Sequence, residues 1–168
     1  MKEKVWYYPF EIGTIGIVDN SLGISKVFFK DTKTSVGESN NYISEETGLI
    51  RKTSEQINEY FNGKRENFEI PLSVSGTTFQ NRVWDTLKNI PYSETRTYKE
   101  IAVNINSPKA CRAVGMANNK NPVCIIIPCH RVIGYNNSLV GYAAGVEIKN
   151  ISLVVSLLAT EWQHQDCL

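Results

Sequence analysis

Residues 125–134 read IIIPCHRVIG. Three consecutive β-branched isoleucines favour a buried strand. Pro128 has no N–H group to donate, so it ends the pairing of that strand. We therefore expect the thiol of Cys129 to lie just past the end of a stiff strand, beside the imidazole of His130. A thiol held in this way has little freedom to move, which suits a nucleophile, and a nearby imidazole raises its reactive fraction.

A cysteine that follows an apolar run is often a small core residue. The neighbours of Cys129 favour a chemical role instead, because proline, histidine and arginine side chains are costly to bury without partners. In an extended segment the side chains of Cys129 and His130 point to opposite faces. If His130 acts as a base, we therefore expect a water molecule or a turn to connect it with the thiol.

Length and composition indicate an ordinary globular protein. The chain has 168 residues, of which 42% are hydrophobic and 21% charged, enough for one large domain or two small ones. It contains no apolar run of the roughly 20 residues that a membrane span needs, and no signal-peptide pattern at its start. We therefore expect a cytoplasmic protein without membrane contact. In a reducing compartment the cysteines should be free thiols; they are Cys111, Cys124, Cys129 and Cys167.

Positive charge is concentrated in the part of the chain that leads to Cys129. Residues 1–70 have a net charge of −2, whereas residues 96–131 carry six Lys or Arg against Glu100 alone, a net charge of +5. A local basic field of this kind is typical of a protein that binds a polyanion.

Two short helices are predicted inside the basic segment. Residues 97–100 match a capping box that opens the first helix. Ser107 as N-cap and Pro108 as first helical residue open a second helix over residues 109–117. The pair resembles a helix-turn-helix. The second helix is rich in alanine and glycine and has Arg112 as its one long cation inside the helix. We therefore expect contact with the DNA backbone and shape rather than with a defined base sequence.

The remaining segments complete a two-part organisation. Three strands are predicted over residues 5–8, 13–18 and 24–29. A capping box at 53–56 should open a helix that ends at Gly63. Thr78 should cap a further helix, and we place a domain boundary at residues 73–77, although a single continuous domain is compatible with the sequence. An apolar helix is predicted over residues 146–158.

The motifs in residues 63–149 resemble those of the O6-alkylguanine-DNA alkyltransferases. The matching elements are PCHRV at 128–132, FQxxVW at 79–84, PYxETxTYxEIA at 91–102, RAVG at 112–115 and NP at 121–122. The resemblance implies a mixed α/β (α+β) fold. An N-terminal β-sheet domain of ribonuclease-H-like type would cover residues 1–75. A helical, winged-helix-like domain that binds DNA and carries the active site would cover residues 76–168.

The resemblance also implies a function and its residues. Such proteins transfer an alkyl group from O6 of guanine, with O4 of thymine as a second candidate target, irreversibly to their own cysteine. By this resemblance Cys129 is the acceptor, His130 deprotonates it through a water molecule, and Asn121 fixes the turn around the site. The implied partner is double-stranded DNA that carries O6-alkylguanine, bound by a monomer without cofactor or metal. The implied DNA contacts are Tyr98, Arg112, Lys109 and Arg131, and the implied substrate pocket is formed by Pro128, Val132, Tyr142 and Ala143.

One departure and two alternatives accompany the resemblance. Family members carry a glutamate that orients the histidine at the position of Ser156, so the group that orients His130 is unassigned. A non-catalytic module that only flags alkylated DNA is the main alternative, and the presence of Cys129 argues against it. A metal site made of Cys111, Cys124, Cys129 and His130 fits no common zinc spacing.

Overall fold

A computed structural model describes residues 2–30 and 41–138 of the chain. The helix predicted over residues 146–158 lies outside this range. Within it, every helix is too short or too polar to span a lipid bilayer.

The N-terminal half is built on a four-stranded sheet. Strands β1 (Lys4–Phe10), β2 (Gly13–Asp19) and β3 (Ile24–Phe29) pair antiparallel, as the sequence predicts. The short strand β4 (Ile43–Ser44) adds in parallel to β1, which gives the order β3-β2-β1-β4. Alternating side chains pack on the two faces of the sheet, because successive residues of a strand point to opposite sides. The main core lies on the face that helix α1 (Gly48–Phe61) covers.

Helix α1 begins earlier than the sequence predicts. Thr47 is its N-cap and accepts a hydrogen bond from the Ile50 amide at 3.1 Å. The predicted cap residues Thr53 and Ser54 are buried inside the helix, where their hydroxyls donate to backbone carbonyls of the preceding turn. The prediction of this start was wrong because an earlier hydroxyl, that of Thr47, already satisfies the first amides. The predicted end at Gly63 is confirmed by its φ of 67°, a conformation that glycine adopts without steric cost.

Two helices of the C-terminal half begin with complete capping boxes. Helix α2 (Thr78–Lys88) is capped by Thr77 with Gln80, one residue before the predicted cap. The two-residue strand β5 (Arg96–Thr97) leads into helix α3 (Tyr98–Asn104), which Thr97 and Glu100 cap as predicted.

Helix α4 (Cys111–Asn119) begins two residues later than predicted, with Ala110 at its N-cap position. Ser107 does not cap it, because its hydroxyl donates to the carbonyl of Ile105, the C-cap of α3, at 3.4 Å, and its amide donates to the Ala102 carbonyl. Ser107 therefore closes the preceding helix, and Pro108 lies in the turn rather than in a helix. The two helices pack together, as the helix-turn-helix interpretation expects.

The isoleucine run does not form the predicted strand. Val123 makes a single parallel bridge to Val27 of β3, and the chain then turns through Ile125, whose φ is 74°. A positive φ is unusual for a β-branched residue and is strained. The Asn121 side chain holds the turn, since its Oδ1 accepts from the Val123 amide at 3.1 Å and its Nδ2 donates to the Ile127 carbonyl at 2.9 Å. This tertiary constraint overrides the β propensity of the three isoleucines.

Candidate active site

Residues Cys129–Arg131 form one turn of 3₁₀ helix directly after the isoleucine turn, and strand β6 (Val132–Ile133) follows, parallel to β5. The Cys129 amide donates to the Ile127 carbonyl at 2.7 Å, and the Cys129 carbonyl accepts from the Asn118 side chain at 3.3 Å. The segment is therefore a turn and not extended, so the condition under which the Cys129 and His130 side chains would point to opposite faces is not met. The backbone that carries the thiol is fixed from both sides, and Cys129 is only 2% exposed.

His130 is fully buried and bonded to a residue from the other half of the chain. Its Nε2 lies 3.0 Å from the hydroxyl oxygen of Tyr60, at the end of α1. The two rings meet edge to face, with centroids 6.2 Å apart. The ring plane of His130 is thus defined by a contact between residues 70 positions apart.

Arg131 was predicted as a DNA contact, and the structure places it in the interior instead. One guanidinium nitrogen donates to the Ile90 carbonyl at 2.9 Å, and another donates to the Tyr60 hydroxyl at 3.2 Å. The guanidinium carbon lies 5.3 Å from the centre of the Tyr92 ring. A side chain committed to these interior acceptors is not presented to a phosphate on the surface.

Tyr98 lies near the thiol at the start of α3. Burial, and then the proximity of Cys129, raises the pKa of Tyr98 to about 12. A β-carbon placed on Gly115 would lie 3.8 Å from the Tyr98 ring, so the ring rests against the side of α4. Burial and the nearby Cys129 also raise the pKa of the Cys124 thiol well above its ordinary value. Cys124 is therefore a thiol close to the site that stays protonated at neutral pH.

The other predicted DNA contacts are exposed. Lys109 precedes α4, and Arg112 lies in its first turn, with its side chain in solvent. Met116, one turn further along, is 64% exposed. The outer face of α4 therefore offers one cation, an apolar side chain and the small residue Ala113, which allows close approach of a partner.

The predicted pocket is described only in part. Pro128 and Val132 are buried beside the thiol turn. Tyr142, Ala143 and Ser156 lie outside the described residues. Within residues 2–30 and 41–138, no three His, Cys, Asp or Glu side chains are grouped so that they could hold a metal ion.

Sequence reasoning missed two residues that hold the site. Tyr60 and Asn118 have no role predicted from the sequence, whereas the first bonds His130 and the second bonds the Cys129 carbonyl. Asn118 could have been found from its spacing of four residues from Val114, which faces the core. No local signal marks Tyr60, because its partner is distant in sequence.

Comparison with known proteins places the chain in a family. Residues 4–74 match the ribonuclease-like domain of 6-O-methylguanine DNA methyltransferase, and residues 78–155 match the DNA-binding domain of the same protein. The chain therefore belongs to the 6-O-methylguanine DNA methyltransferase family, which confirms the family and the fold class that the motifs imply.

Individual relatives agree over most of their length. The methylated-DNA–protein-cysteine methyltransferase of Methanosarcina acetivorans is 46% identical over 151 residues, which are 89% of this chain and 96% of the relative. A constitutive enzyme of that name from Bacillus subtilis is 41% identical over 154 residues, 88% of this chain and 92% of the relative. The crystal structure of Mycobacterium tuberculosis OGT in complex with DNA superposes with a TM-score of 0.82 at 34% identity, covering 95% of this chain and 94% of that one.

Proposed function

We propose that this protein repairs DNA by direct reversal, as a methylated-DNA–[protein]-cysteine S-methyltransferase that moves an alkyl group from O6 of guanine to Cys129. The observation that carries the proposal is the fixed Cys129–His130 turn, which lies in a chain of this family. A thiol with its ordinary pKa of about 8.5 is mostly protonated at neutral pH, so an adjacent imidazole that takes the proton increases the reactive thiolate.

The transfer is a single displacement. The Cys129 sulfur forms a bond to the alkyl carbon, the bond between that carbon and O6 breaks, and the electron pair goes to the guanine. The proton removed from the thiol returns to the base, so that guanine is restored. Because Nε2 of His130 is bonded to the Tyr60 hydroxyl, we assign the water-mediated contact with the thiol to the other ring nitrogen, Nδ1. The product is a thioether, which has no chemical route back, so each molecule acts once.

The target oxygen lies inside the base stack, so the nucleotide must leave the helix. Extrusion costs on the order of a few kcal/mol. Tyr98 beside the thiol and exposed Arg112 on α4 are the residues we assign to displacing the base and filling the gap. Lys109 adds an exposed charge for the phosphate backbone. Asn121 holds the turn that carries Cys129, and Pro128 and Val132 line the base pocket.

We propose double-stranded DNA containing O6-alkylguanine as the partner of a cytoplasmic monomer. We keep the division into an N-terminal domain over residues 1–75 and a C-terminal domain over residues 76–168. The sheet and α1 precede residue 75, and the thiol turn, α3 and α4 follow it.

Intact-mass measurement after incubation with duplex DNA containing O6-methylguanine tests the function. We expect a gain of one methyl group in place of hydrogen, located on Cys129 by peptide mapping. Cys129→Ala should lose the gain while keeping DNA affinity, because the buried thiol is not a phosphate contact. Cys124→Ala is the matched control, a second thiol near the site, and should react normally. Tight DNA binding by the unmutated protein without any mass gain would favour the lesion-flagging module instead.

A further inference from the structure

A buried hydrogen-bond cluster connects the two halves of the chain at the active-site histidine. It consists of Tyr60 from α1 together with His130 and Arg131 from the 3₁₀ turn. Tyr60 and His130 are 0% exposed, and Arg131 is 5% exposed. Because bulk solvent does not reach these groups, their hydrogen bonds must be satisfied by one another, by neighbouring protein atoms or by an enclosed water molecule.

Counting donors and acceptors shows what the Tyr60 hydroxyl offers to the imidazole. A phenol oxygen has one hydrogen and two lone pairs. The Arg131 guanidinium can only donate, so it occupies one lone pair at 3.2 Å. The remaining lone pair and the hydrogen are both available for a hydrogen bond with His130 Nε2, which lies 3.0 Å from the Tyr60 oxygen. Tyr60 can therefore accept from Nε2 when that nitrogen carries hydrogen and donate to it when it does not.

The Tyr60 ring has no room to turn the hydroxyl away. It contacts Phe61, Phe68 and Tyr92, with ring centroids 5.8, 5.3 and 5.8 Å away. A ring packed on several sides stays in one rotamer, and its hydroxyl keeps a fixed place in the interior.

We propose that Tyr60 is the positioning residue that orients the His130 imidazole. The inference rests on the proposed function, in which His130 takes the thiol proton. By holding Nε2, the hydroxyl sets the ring plane and directs the opposite nitrogen, Nδ1, toward the path to the thiol. It does so without adding a negative charge, and it keeps its hydrogen bond before and after the ring gains a proton. The N-terminal half thereby contributes directly to the chemistry of a site that the C-terminal half carries.

Tyr60→Phe tests the proposal, because it removes the hydroxyl and leaves the packed ring. We expect the single-turnover rate of methyl transfer to fall about fivefold to tenfold, the rate equivalent of one net hydrogen bond. The affinity for DNA should not change. Tyr8→Phe is the matched control: it removes a hydroxyl that donates to Glu46 at 2.5 Å in the same half of the chain, away from His130. This control should keep the transfer rate of the unmutated protein.

Nitrogen-15 NMR measures the chemical shifts of the imidazole nitrogens. These shifts would not change if Tyr60 only filled space in the core. The chain has two histidines, His130 and His164, so His164→Gln assigns the signals. We expect Tyr60→Phe to change the Nδ1 and Nε2 shifts of His130, since the fraction of hydrogen on each nitrogen is no longer set by the hydroxyl. Tyr8→Phe should leave both shifts in place.

The unmutated protein provides a second test should Tyr60→Phe fail to fold. A nuclear Overhauser effect between the Tyr60 hydroxyl hydrogen and the ring hydrogens of His130 is expected, and its absence would overturn the proposal. So would transfer at the normal rate by folded Tyr60→Phe with unchanged nitrogen shifts, or an equal loss of rate in Tyr8→Phe. A protein that never gains the methyl group refutes the proposed function instead, which the mass measurement registers independently.

Discussion

Arg131 carries a full positive charge, yet only 5% of its surface is exposed. A buried guanidinium is tolerated when its N–H groups find acceptors, and here the Ile90 carbonyl and the Tyr60 hydroxyl supply them. An arginine that holds the interior and an arginine that binds phosphate have the same residue type and the same geometric preferences. Only burial distinguishes them, so the net charge of +5 over residues 96–131 overstates the charge that faces DNA.

Replacing Lys109 and Arg131 by glutamine, one at a time, distinguishes a side chain that binds phosphate from one that bonds interior acceptors. Lys109→Gln should reduce the slope of log binding constant against log salt concentration by about one, since it removes the phosphate contact that we propose for this residue. Its free energy of unfolding should stay within about 0.5 kcal/mol. Arg131→Gln should leave the slope unchanged and lower the free energy of unfolding by about 2 kcal/mol, because two buried acceptors lose charged donors. Fluorescence titrations at several salt concentrations and urea unfolding measure both quantities. A reduced salt slope in Arg131→Gln would restore the arginine as a DNA contact.

Capping-box motifs can be found in the sequence, but only some of the hydroxyl side chains that match the motif cap a helix. At Thr97 the hydroxyl accepts from the Glu100 amide at 3.2 Å, and the Glu100 carboxylate accepts from the Thr97 amide at 2.6 Å. Thr53 and Ser54 match the same pattern inside α1, where the amides already have helical partners. A capping motif is therefore informative only where the first amides of a helix lack partners.

Thr97→Ala tests the capping box of α3. Loss of the hydroxyl should lower the free energy of unfolding by about 1 kcal/mol, the usual cost of removing an N-cap. The Thr97 amide, and then the Thr97 hydroxyl, lower the pKa of the Glu100 carboxyl. A lowered folded pKa stabilises the protein above the ordinary glutamate pKa, and this stabilisation is lost as the pH falls through the folded value. Urea unfolding at neutral and acidic pH should therefore show a smaller difference between Thr97→Ala and the unmutated protein in acid.

Thr86→Ala is the control for this experiment. Its hydroxyl donates to the Arg82 carbonyl within α2 and caps nothing. We expect a change below about 0.5 kcal/mol. An equal loss in both variants would mean that the Thr97 cap adds no specific stability.

The two halves of the described chain meet at the edge of β3 that does not pair with β2. An edge strand leaves N–H and C=O groups unpaired, and here two separate segments cover them. Ile24 exchanges hydrogen bonds with the segment at residues 71–73, and Val27 does so with residues 122–124, just before the thiol turn. The turn that carries Cys129 is therefore attached to the N-terminal sheet, and one buried core continues across the proposed boundary near residue 75.

This shared edge predicts that the two halves unfold together. Trp84 is buried in the C-terminal half and Trp6 lies on β1, 38% exposed. A variant with Trp6→Phe and Trp162→Phe leaves Trp84 as the fluorescent reporter, and one with Trp84→Phe and Trp162→Phe leaves Trp6. In each variant, the urea midpoint from fluorescence should equal the midpoint from circular dichroism, as two-state unfolding requires. Two separate midpoints would show that the halves are independent folding units.

The sequence by itself determined the features that depend on neighbouring residues. The three long strands, the end of α1 at Gly63, the capping box of α3 and the family motifs around Cys129 were all predictable. Strand alternation, glycine conformation and helix capping act over a few residues, and a short window of sequence contains all the atoms involved.

The tertiary structure decided the features in which distant segments compete with local preference. Ile125 turns because Asn121 ties the loop and Val27 anchors its start, against the β propensity of three isoleucines. Arg131 is interior because Tyr60 and Ile90 provide acceptors there. His130 takes its orientation from Tyr60, a residue 70 positions away. Which buried polar groups pair with one another is decided only when the halves pack. Each donor then forms a hydrogen bond with whichever acceptor the fold brings within reach.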